Sequence, residues 1–130
     1  MKLFLQIELR NWQESAYEKP WLAYASSLAN DLIGAEIDNQ SEASIADLVI
    51  RLVDQAQSVF IFIVATPEQP FGVTLKLINH LLRSQGKIFK ILLSGHHEGI
   101  ERLLHPIDSK FLIESDPEKI KSEIRLFALT

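Results

Sequence analysis

The stretch Val59-Phe60-Ile61-Phe62-Ile63-Val64 decides the fold, because it is an uninterrupted run of β-branched and aromatic residues. A strand with one solvent-exposed face would alternate between apolar and polar residues, and this run does not. Continuous apolar runs of this length are typical of strands buried on both faces, in a parallel sheet that helices cover. The run therefore predicts the middle of an α/β sheet.

Upstream of this run, the sequence predicts one strand and one helix. Residues 3–9 alternate, with leucine or isoleucine at every second position, which is the period of a β-strand. Pro20 suits the first turn of a helix, where its missing N–H costs nothing. Apolar residues at helical spacing continue from there to Ile33, and Gly34 is the expected helix stop.

A second strand and helix are expected before the central run. Residues 35–38 have room for a short strand only. Ser44, followed three residues later by Asp47, resembles a capping box with aspartate in place of the usual glutamate. The apolar spacing after it predicts a helix that reaches Ala56.

Downstream, three helical patterns alternate with two strand patterns. Residues 71–84 have helical spacing, residues 88–93 form a largely apolar strand, and a loop over residues 94–99 leads to a short helix. Residues 110–113 are the last expected strand. Asp116-Pro117-Glu118 then gives a strong helix start, with a capping side chain, a first-turn proline and a first-turn acid.

The predicted order alternates strand and helix five times, without a linker or an internal repeat. Strict alternation of this kind indicates parallel strands joined by right-handed crossovers, with helices on both faces. We therefore expect one α/β domain over residues 1–130. Its fold class is a three-layer, doubly wound parallel five-stranded sheet with the flavodoxin-like strand order 2-1-3-4-5.

Composition excludes several classes of function. With 13 basic and 17 acidic residues, the net charge of −4 gives no electrostatic footprint for nucleic acid. The chain has no cysteine, so disulfides and thiolate metal sites are excluded. The longest apolar run, residues 59–65, falls far short of the ~20 residues of a membrane span. The first residues do not form a signal peptide, so we expect a cytoplasmic protein with no membrane partner.

Ligands of open parallel sheets bind beyond the carboxyl ends of the strands, where the strand order reverses. The candidate ligand-binding residues are therefore the polar and aromatic side chains that end or follow strands. They are Glu8, Arg10, Trp12, Thr66, Glu68, Ser94, His96 and His97. If the strand order is correct, these loops lie side by side, and we expect a shallow cleft of mixed charge between Glu8 and Glu68, flanked by His96.

Known cofactor motifs are missing from this edge. The segment after the first strand, residues 10–16, contains no glycine, so it matches neither a dinucleotide fingerprint nor a Walker loop. The two adjacent histidines, His96 and His97, could contact a ligand, bind a metal or belong to a structural loop. Neighbouring side chains diverge and no third ligand is evident, so we expect no metal site and no cofactor.

Two further groups of residues allow two interpretations each. Glu8 and Arg10 share a strand face, either as an ion pair or a carboxylate over a cleft, or as an exposed strand end. Four aromatic residues, Trp12, Tyr17, Trp21 and Tyr24, could stack on a planar ligand or form a partner surface. The simpler interpretation is that the last two pack the first helix onto the sheet.

Residues 21–64 resemble the Toll/interleukin-receptor (TIR) domains and their nucleoside deoxyribosyltransferase-like relatives. The matching features are Gly34 after a helix, then Ala35-Glu36-Ile37-Asp38, a polar loop, a helix, and Ser58 before the apolar strand. The resemblance implies a flavodoxin-like domain that self-associates. Some such proteins cleave NAD or nucleosides with a glutamate on the helix after the third strand. Residues 71–76, the corresponding stretch, contain no glutamate.

Two functions follow as expectations. The first is a non-catalytic, TIR-like interaction domain that forms a homo-oligomer or binds a protein partner. The alternative is a binder of a small molecule or nucleotide, with nucleosidase-like cleavage as its enzymatic form. In that alternative Glu8 or Glu68 supplies the carboxylate that stabilises an oxocarbenium-like centre, and Arg10 contacts an anion.

Overall fold

The protein, described here from a computed structural model, is built on one parallel sheet, and the structure describes residues 1–11 and 20–130. The sheet has five strands in the order β2-β1-β3-β4-β5, which confirms the predicted flavodoxin-like order. The strands are β1 (Lys2–Leu9), β2 (Leu32–Asp38), β3 (Ser58–Ala65), β4 (Ile88–Gly95) and β5 (Phe111–Ile113). All four strand pairs are parallel.

Within residues 1–11 and 20–130, five α-helices connect and cover these strands. They are α1 (Pro20–Leu28), α2 (Ala43–Gln55), α3 (Thr74–Leu82), α4 (Glu98–Leu104) and α5 (Pro117–Leu129). Two short 3-10 segments, Gln85–Lys87 and His105–Lys110, precede β4 and β5. Helices α2, α3 and α4 pack on one face of the sheet, and α1 and α5 pack on the other, so the fold has three layers.

The face of the sheet under α2, α3 and α4 is aliphatic. Every second residue of β1 from Leu3 to Leu9 points into it, and each of them is buried. A narrow cavity there, with about 10 Å³ of space for the centre of a water molecule, is lined entirely by isoleucine and leucine side chains. It offers no polar partner for water or a polar ligand, so it is a dry packing gap.

The face under α1 and α5 is aromatic. Phe4 stacks against Phe60 and Phe62, with ring centroids 5.6 and 6.2 Å apart. Trp21 of α1 packs edge-on against Phe62, at 6.4 Å, and Phe127 of α5 lies 5.6 Å from Phe60. Trp21 therefore packs α1 onto the sheet, which is the simpler of the two interpretations given above for the aromatic residues.

The boundary between α1 and β2 differs from the prediction. The helix ends at Leu28, and β2 begins at Leu32, so Gly34 lies inside a seven-residue strand and is not a helix stop. Lys2 N–H donates to the carbonyl of Asp31 at 2.9 Å, and from there β2 runs in register with β1. The chain turns at Asn30 and Asp31. The residues that follow pair with β1 and form a strand, although their apolar positions have helical spacing.

Other boundaries shift by a few residues. Helix α2 begins at Ala43 after Glu42, so the capping box predicted at Ser44 is wrong, and Asp47 bonds to Lys76 instead. Strand β4 continues to Gly95 and α4 begins at Glu98, which leaves two loop residues where six were expected.

The predicted start of α5 is confirmed. The Asp116 carboxylate accepts a hydrogen bond from the Glu118 N–H at 3.2 Å, in the N-cap position before Pro117. Among the described helices, none is long and apolar enough to cross a membrane.

Candidate functional site

One row of residues crosses the carboxyl end of the sheet on the α1–α5 face. Glu8 of β1 is in register with Asp38 of β2 on one side and with Val64 of β3 on the other. Val64 is in register with Ser94 of β4. Residues in register in a parallel sheet project from the same face, so this row brings Glu8 and Ser94 to one surface, with one strand between them.

Glu8 is a buried acid at the middle of this row. Its side chain is only 5% exposed, and β1 is an inner strand with neighbours on both sides. Arg10 Nε lies 4.0 Å from Glu8 Oε1, and Gln6 Nε2 donates to the same oxygen at 3.4 Å. The interpretation of Glu8 as an exposed strand end is therefore wrong. The structure brings Glu8 and Arg10 together, as an ion pair at the upper distance limit.

Gln6 belongs to this site and was not among the predicted residues. It is buried, and its Oε1 has no hydrogen-bond partner in the described part of the chain. Buried carbonyl oxygens are almost always paired, so an unpaired one requires an explanation. The sequence carried a signal for Gln6: it lies between Phe4 and Glu8 on the strand face that the aromatic residues cover.

The far end of the row is polar and more exposed. Ser94 Oγ lies 3.5 Å from Ser115 Oγ, which follows β5. The neighbouring Glu114 carboxylate accepts hydrogen bonds from the N–H groups of Asp116, at 3.3 Å, and of Ser115, at 3.1 Å. These backbone N–H groups, that of Asp116 foremost, together with Lys119, lower the pKa of Glu114 below its usual 4.5.

The loop after β3 places its residues differently. Thr66 ties this loop to β1, because its N–H and its hydroxyl both donate to the carbonyl of Leu9, at 3.0 and 3.3 Å. Glu68 follows in an exposed turn, with a φ of 68° that non-glycine residues rarely adopt. The buried Glu8 and the exposed Glu68 thus occupy different environments.

A close backbone contact fixes the same loop against the β2–α2 turn. Gly72 has a φ of 55°, and a Cβ atom there would lie 2.0 Å from the carbonyl oxygen of Asn39. Gly95, at the end of β4, has a φ of 102°, and a Cβ atom would lie 2.3 Å from the carbonyl oxygen of Ala65. Only glycine fits at these two positions, so the loops around the carboxyl edge are held by backbone contacts.

The two adjacent histidines, His96 and His97, lie in different surroundings. His97 is buried, and its Nδ1 accepts the Ile100 N–H at 3.1 Å, as the N-cap of α4. Its Nε2 lies 2.7 Å from the carbonyl oxygen of Gln69, to which it donates in the tautomer that leaves Nδ1 as the acceptor. The ring thereby links α4 to the loop after β3, whereas His96 is exposed.

Trp12, the remaining candidate, lies outside the described residues, as does Tyr17. Within residues 1–11 and 20–130, no three histidine or acidic side chains come together as a metal-binding group. The structure thus divides the candidates into two groups. One is a row on one sheet face, buried at Glu8 and more exposed at Ser94. The other is a set of loop residues, in which hydrogen bonds hold Thr66 and His97 while Glu68 and His96 are exposed.

Comparison with known proteins identifies no relative. No family model, no curated protein and no solved structure matches this chain.

Proposed function

We propose that the protein binds a small polar molecule at the carboxyl edge of β1, β3 and β4, on the α1–α5 face. The observation that carries this proposal is the buried Gln6 Oε1, which has no hydrogen-bond partner in the described part of the chain. The buried Glu8 carboxylate lies two residues away on the same face of this inner strand. Burying a polar group without a hydrogen-bond partner costs free energy. A ligand that donates a hydrogen bond to such a group recovers that free energy.

The position of these acceptors supports a ligand site. In doubly wound sheets the strand order reverses at one place, and a crevice opens outside the carboxyl ends of the two strands there. In this sheet the reversal lies between β1 and β3, and Glu8 is the last but one residue of β1. Ser94 and Ser115 extend the same polar surface by two hydroxyl groups.

The chemistry of the site favours a ligand that donates hydrogen bonds. A carboxylate and an amide oxygen accept, and the two serine hydroxyls can do either. Hydroxyl-rich molecules such as ribosyl compounds fit this set, and the Arg10 guanidinium beside Glu8 adds a contact for an attached phosphate or carboxylate. We therefore propose nucleosides and nucleotides as the first class of ligands. Hydrolysis of the N-glycosidic bond, in which water bonds to the sugar carbon and the base leaves with a proton, is the enzymatic form of this proposal, with Glu8 facing the oxocarbenium-like centre.

The test is a binding and turnover assay on the full chain. We would titrate the protein with adenosine, AMP, NAD and ribose, follow binding by calorimetry, and follow base release by chromatography. Glu8→Gln should weaken binding of the ligand at least tenfold, because hydrogen bonds to a charged group contribute about 1.5–3 kcal/mol. Gln6→Leu should weaken it too, by removing the second acceptor.

The matched control is Glu101→Gln, which removes the same charge from α4 on the opposite side of the sheet. It should bind as the unaltered protein does. If none of the four compounds binds, or if Glu8→Gln and Glu101→Gln bind them equally well, the proposed site is wrong.

A second candidate function is association, the TIR-like role that the resemblance implies. A specific observation favours it: the outer strand β2 and the helix that follows it carry three exposed aliphatic side chains, Ile33 of β2 and Ile45 and Leu48 of α2. We call this group the β2-edge strip. This second candidate is independent of the ligand site.

A further inference from the structure

We infer that two copies of this chain associate through β2, by antiparallel pairing of their β2 strands about Ala35. This inference rests on the second candidate function and names the partner and the surface. Strand β2 is an outer strand of the sheet, seven residues long, and within residues 1–11 and 20–130 its one strand partner is β1. An outer strand of this length presents a row of backbone donors and acceptors that can pair with another strand.

The hydrogen bonds at its two ends show which backbone groups face outward. At one end Lys2 N–H donates to the carbonyl of Asp31, and at the other the Asn39 N–H donates to the carbonyl of Glu8. Backbone groups along a strand point alternately to opposite sides, so the odd-numbered residues between these two face β1. The N–H and C=O groups of Gly34 and Glu36 therefore face away from the sheet.

The ends of the outward row are already occupied. The Leu32 N–H donates to the carbonyl of Ala29 at 3.4 Å, and the Asp38 N–H donates to Ser41 Oγ at 3.1 Å. Gly34 and Glu36 are the two interior residues whose N–H groups have no such partner within the described part of the chain. The edge thus offers one short, central pairing segment.

Only one symmetric register uses this segment fully. In this register Gly34 of each copy lies opposite Glu36 of the other, which gives two equivalent residue pairs. The two residues of each pair exchange two backbone hydrogen bonds. The two-fold axis then passes through Ala35, and four backbone bonds form in total. A register centred on Glu36 would place two carboxylates directly opposite each other, which is unfavourable.

The side chains agree with this register. Glu36 lies opposite Gly34, so no like charges are opposed and no side chain meets the exposed carboxylate. On the α2 face, Ile33 of one copy lies opposite Ile37 of the other, and the two Ala35 residues lie opposite each other. An interface that pairs a surface with itself in this way is the isologous contact of a two-fold dimer.

Helix α2 adds an apolar flank to the same interface. Asp47 and Asp54 share the flank of α2 that faces α3, where they bond to Lys76 and His80 at 2.6 and 2.7 Å. Ile45 and Leu48 lie on the opposite flank at helical spacing, and this flank looks toward the β2 edge. In the dimer, the two α2 helices would therefore approach each other on one face and bury the β2-edge strip.

The other outer strand does not offer the same surface. Strand β5 has three residues against seven in β2, so it supplies less than half the ladder. Exposed Ile113 at its end provides a control position, because it lies at the opposite edge of the sheet.

Disulfide trapping tests the register directly, since the chain has no cysteine of its own. Residues opposite each other in such a non-hydrogen-bonded pair have Cα atoms about 4.5 Å apart, within the range of roughly 4.4–6.8 Å that a disulfide spans. Ala35→Cys should form a covalent dimer under mild oxidation, and Ile113→Cys should not. Light scattering on the unaltered chain should show a monomer–dimer equilibrium across a dilution series.

A charged substitution gives a second, independent readout. Ile33→Lys should raise the dimer dissociation constant at least tenfold, and Leu126→Lys, at an exposed position of α5, should leave it unchanged. Thermal unfolding of both variants shows whether the fold is kept. A chain that stays monomeric at every concentration overturns both the inference and association with itself. A dimer that Ala35→Cys does not trap and Ile33→Lys does not weaken overturns the inference alone, since association would then use another surface.

Discussion

At the scale of single residues, the ion pair between Asp47 and Lys76 makes a test of the α2–α3 contact. Lys76 Nζ donates to Asp47 Oδ1 at 2.6 Å, and this hydrogen bond, with the attraction of the ammonium charge, holds the pKa of Asp47 below its usual 3.8. A lowered pKa in the folded state means that the pair stabilises the fold above pH 3.8 and that this contribution is lost as the pH falls through the folded-state pKa.

Lys76→Met should therefore raise the pKa of Asp47 back toward 3.8, because it removes the donor and the positive charge together. The measurement is an NMR titration of the Asp47 side-chain carbonyl between acidic and neutral pH. Lys119→Met, which changes a lysine beside Glu114, should leave the Asp47 titration unchanged. An Asp47 titration that is the same with and without Lys76 would show that the pair does not form in solution.

How much of the site could be predicted also depends on single residues. Glu8 was correctly placed at the carboxyl end of an inner strand, because the alternation in β1 is a local pattern and the strand order follows from the succession of strands and helices along the chain. The burial of Gln6 and Glu8 could not be inferred from their polar character, since side chains of these types are mostly exposed. The positive φ of Glu68 was also invisible, because glutamate gives no sign of a conformation that favours glycine.

At the scale of secondary-structure elements, His97 makes the strongest structural prediction. Its ring caps α4 through the Ile100 N–H and reaches the carbonyl of Gln69 in the loop after β3. His97→Ala removes the cap, leaves a gap beside Phe71, whose ring centroid is 5.1 Å away, and leaves a buried carbonyl unpaired. We expect a loss of about 2–4 kcal/mol in the free energy of unfolding.

His97→Asn should lose roughly half as much, because asparagine is a good N-cap but is too short to reach Gln69 as well. Urea denaturation measures both losses. The control is His105→Ala, an exposed histidine at the end of the same helix, which should change stability by less than about 0.5 kcal/mol. Equal losses for His97→Ala and His105→Ala would mean that the ring does not join the two elements.

The α1–β2 boundary shows where element prediction from sequence stops. Helical spacing of apolar residues continues beyond the end of α1, at Leu28, Ala29, Leu32 and Ile33. The pattern alone therefore predicts a longer helix. Asn30 and Asp31 are turn-forming residues within that pattern, and they were the sequence feature that indicated the end of the helix. Pairing with β1 then makes the following residues a strand. Pairing between segments that are distant in the chain cannot be predicted from a short window of sequence.

At the scale of the whole molecule, strand order and layering were predictable for a physical reason. Continuous apolar strands require cover on both faces, and alternating helices supply it only through right-handed crossovers. These constraints leave few topologies for five strands. What the sequence could not supply is the burial of polar residues on the finished sheet and the full length of β2, on which the ligand site and the β2 edge depend.

Amide hydrogen exchange tests the sheet edge and the dimer in one measurement. The N–H groups of Ile33, Ala35 and Ile37 face β1 and should exchange slowly at every protein concentration. The N–H groups of Gly34 and Glu36 face outward and should exchange quickly in dilute samples, then slow down as the dimer forms. Fast exchange of the first group would contradict the pairing of β2 with β1 over this length. Fast exchange of Gly34 and Glu36 at all concentrations would leave the outer side of β2 without a strand partner, because a paired N–H is protected whichever copy supplies its acceptor.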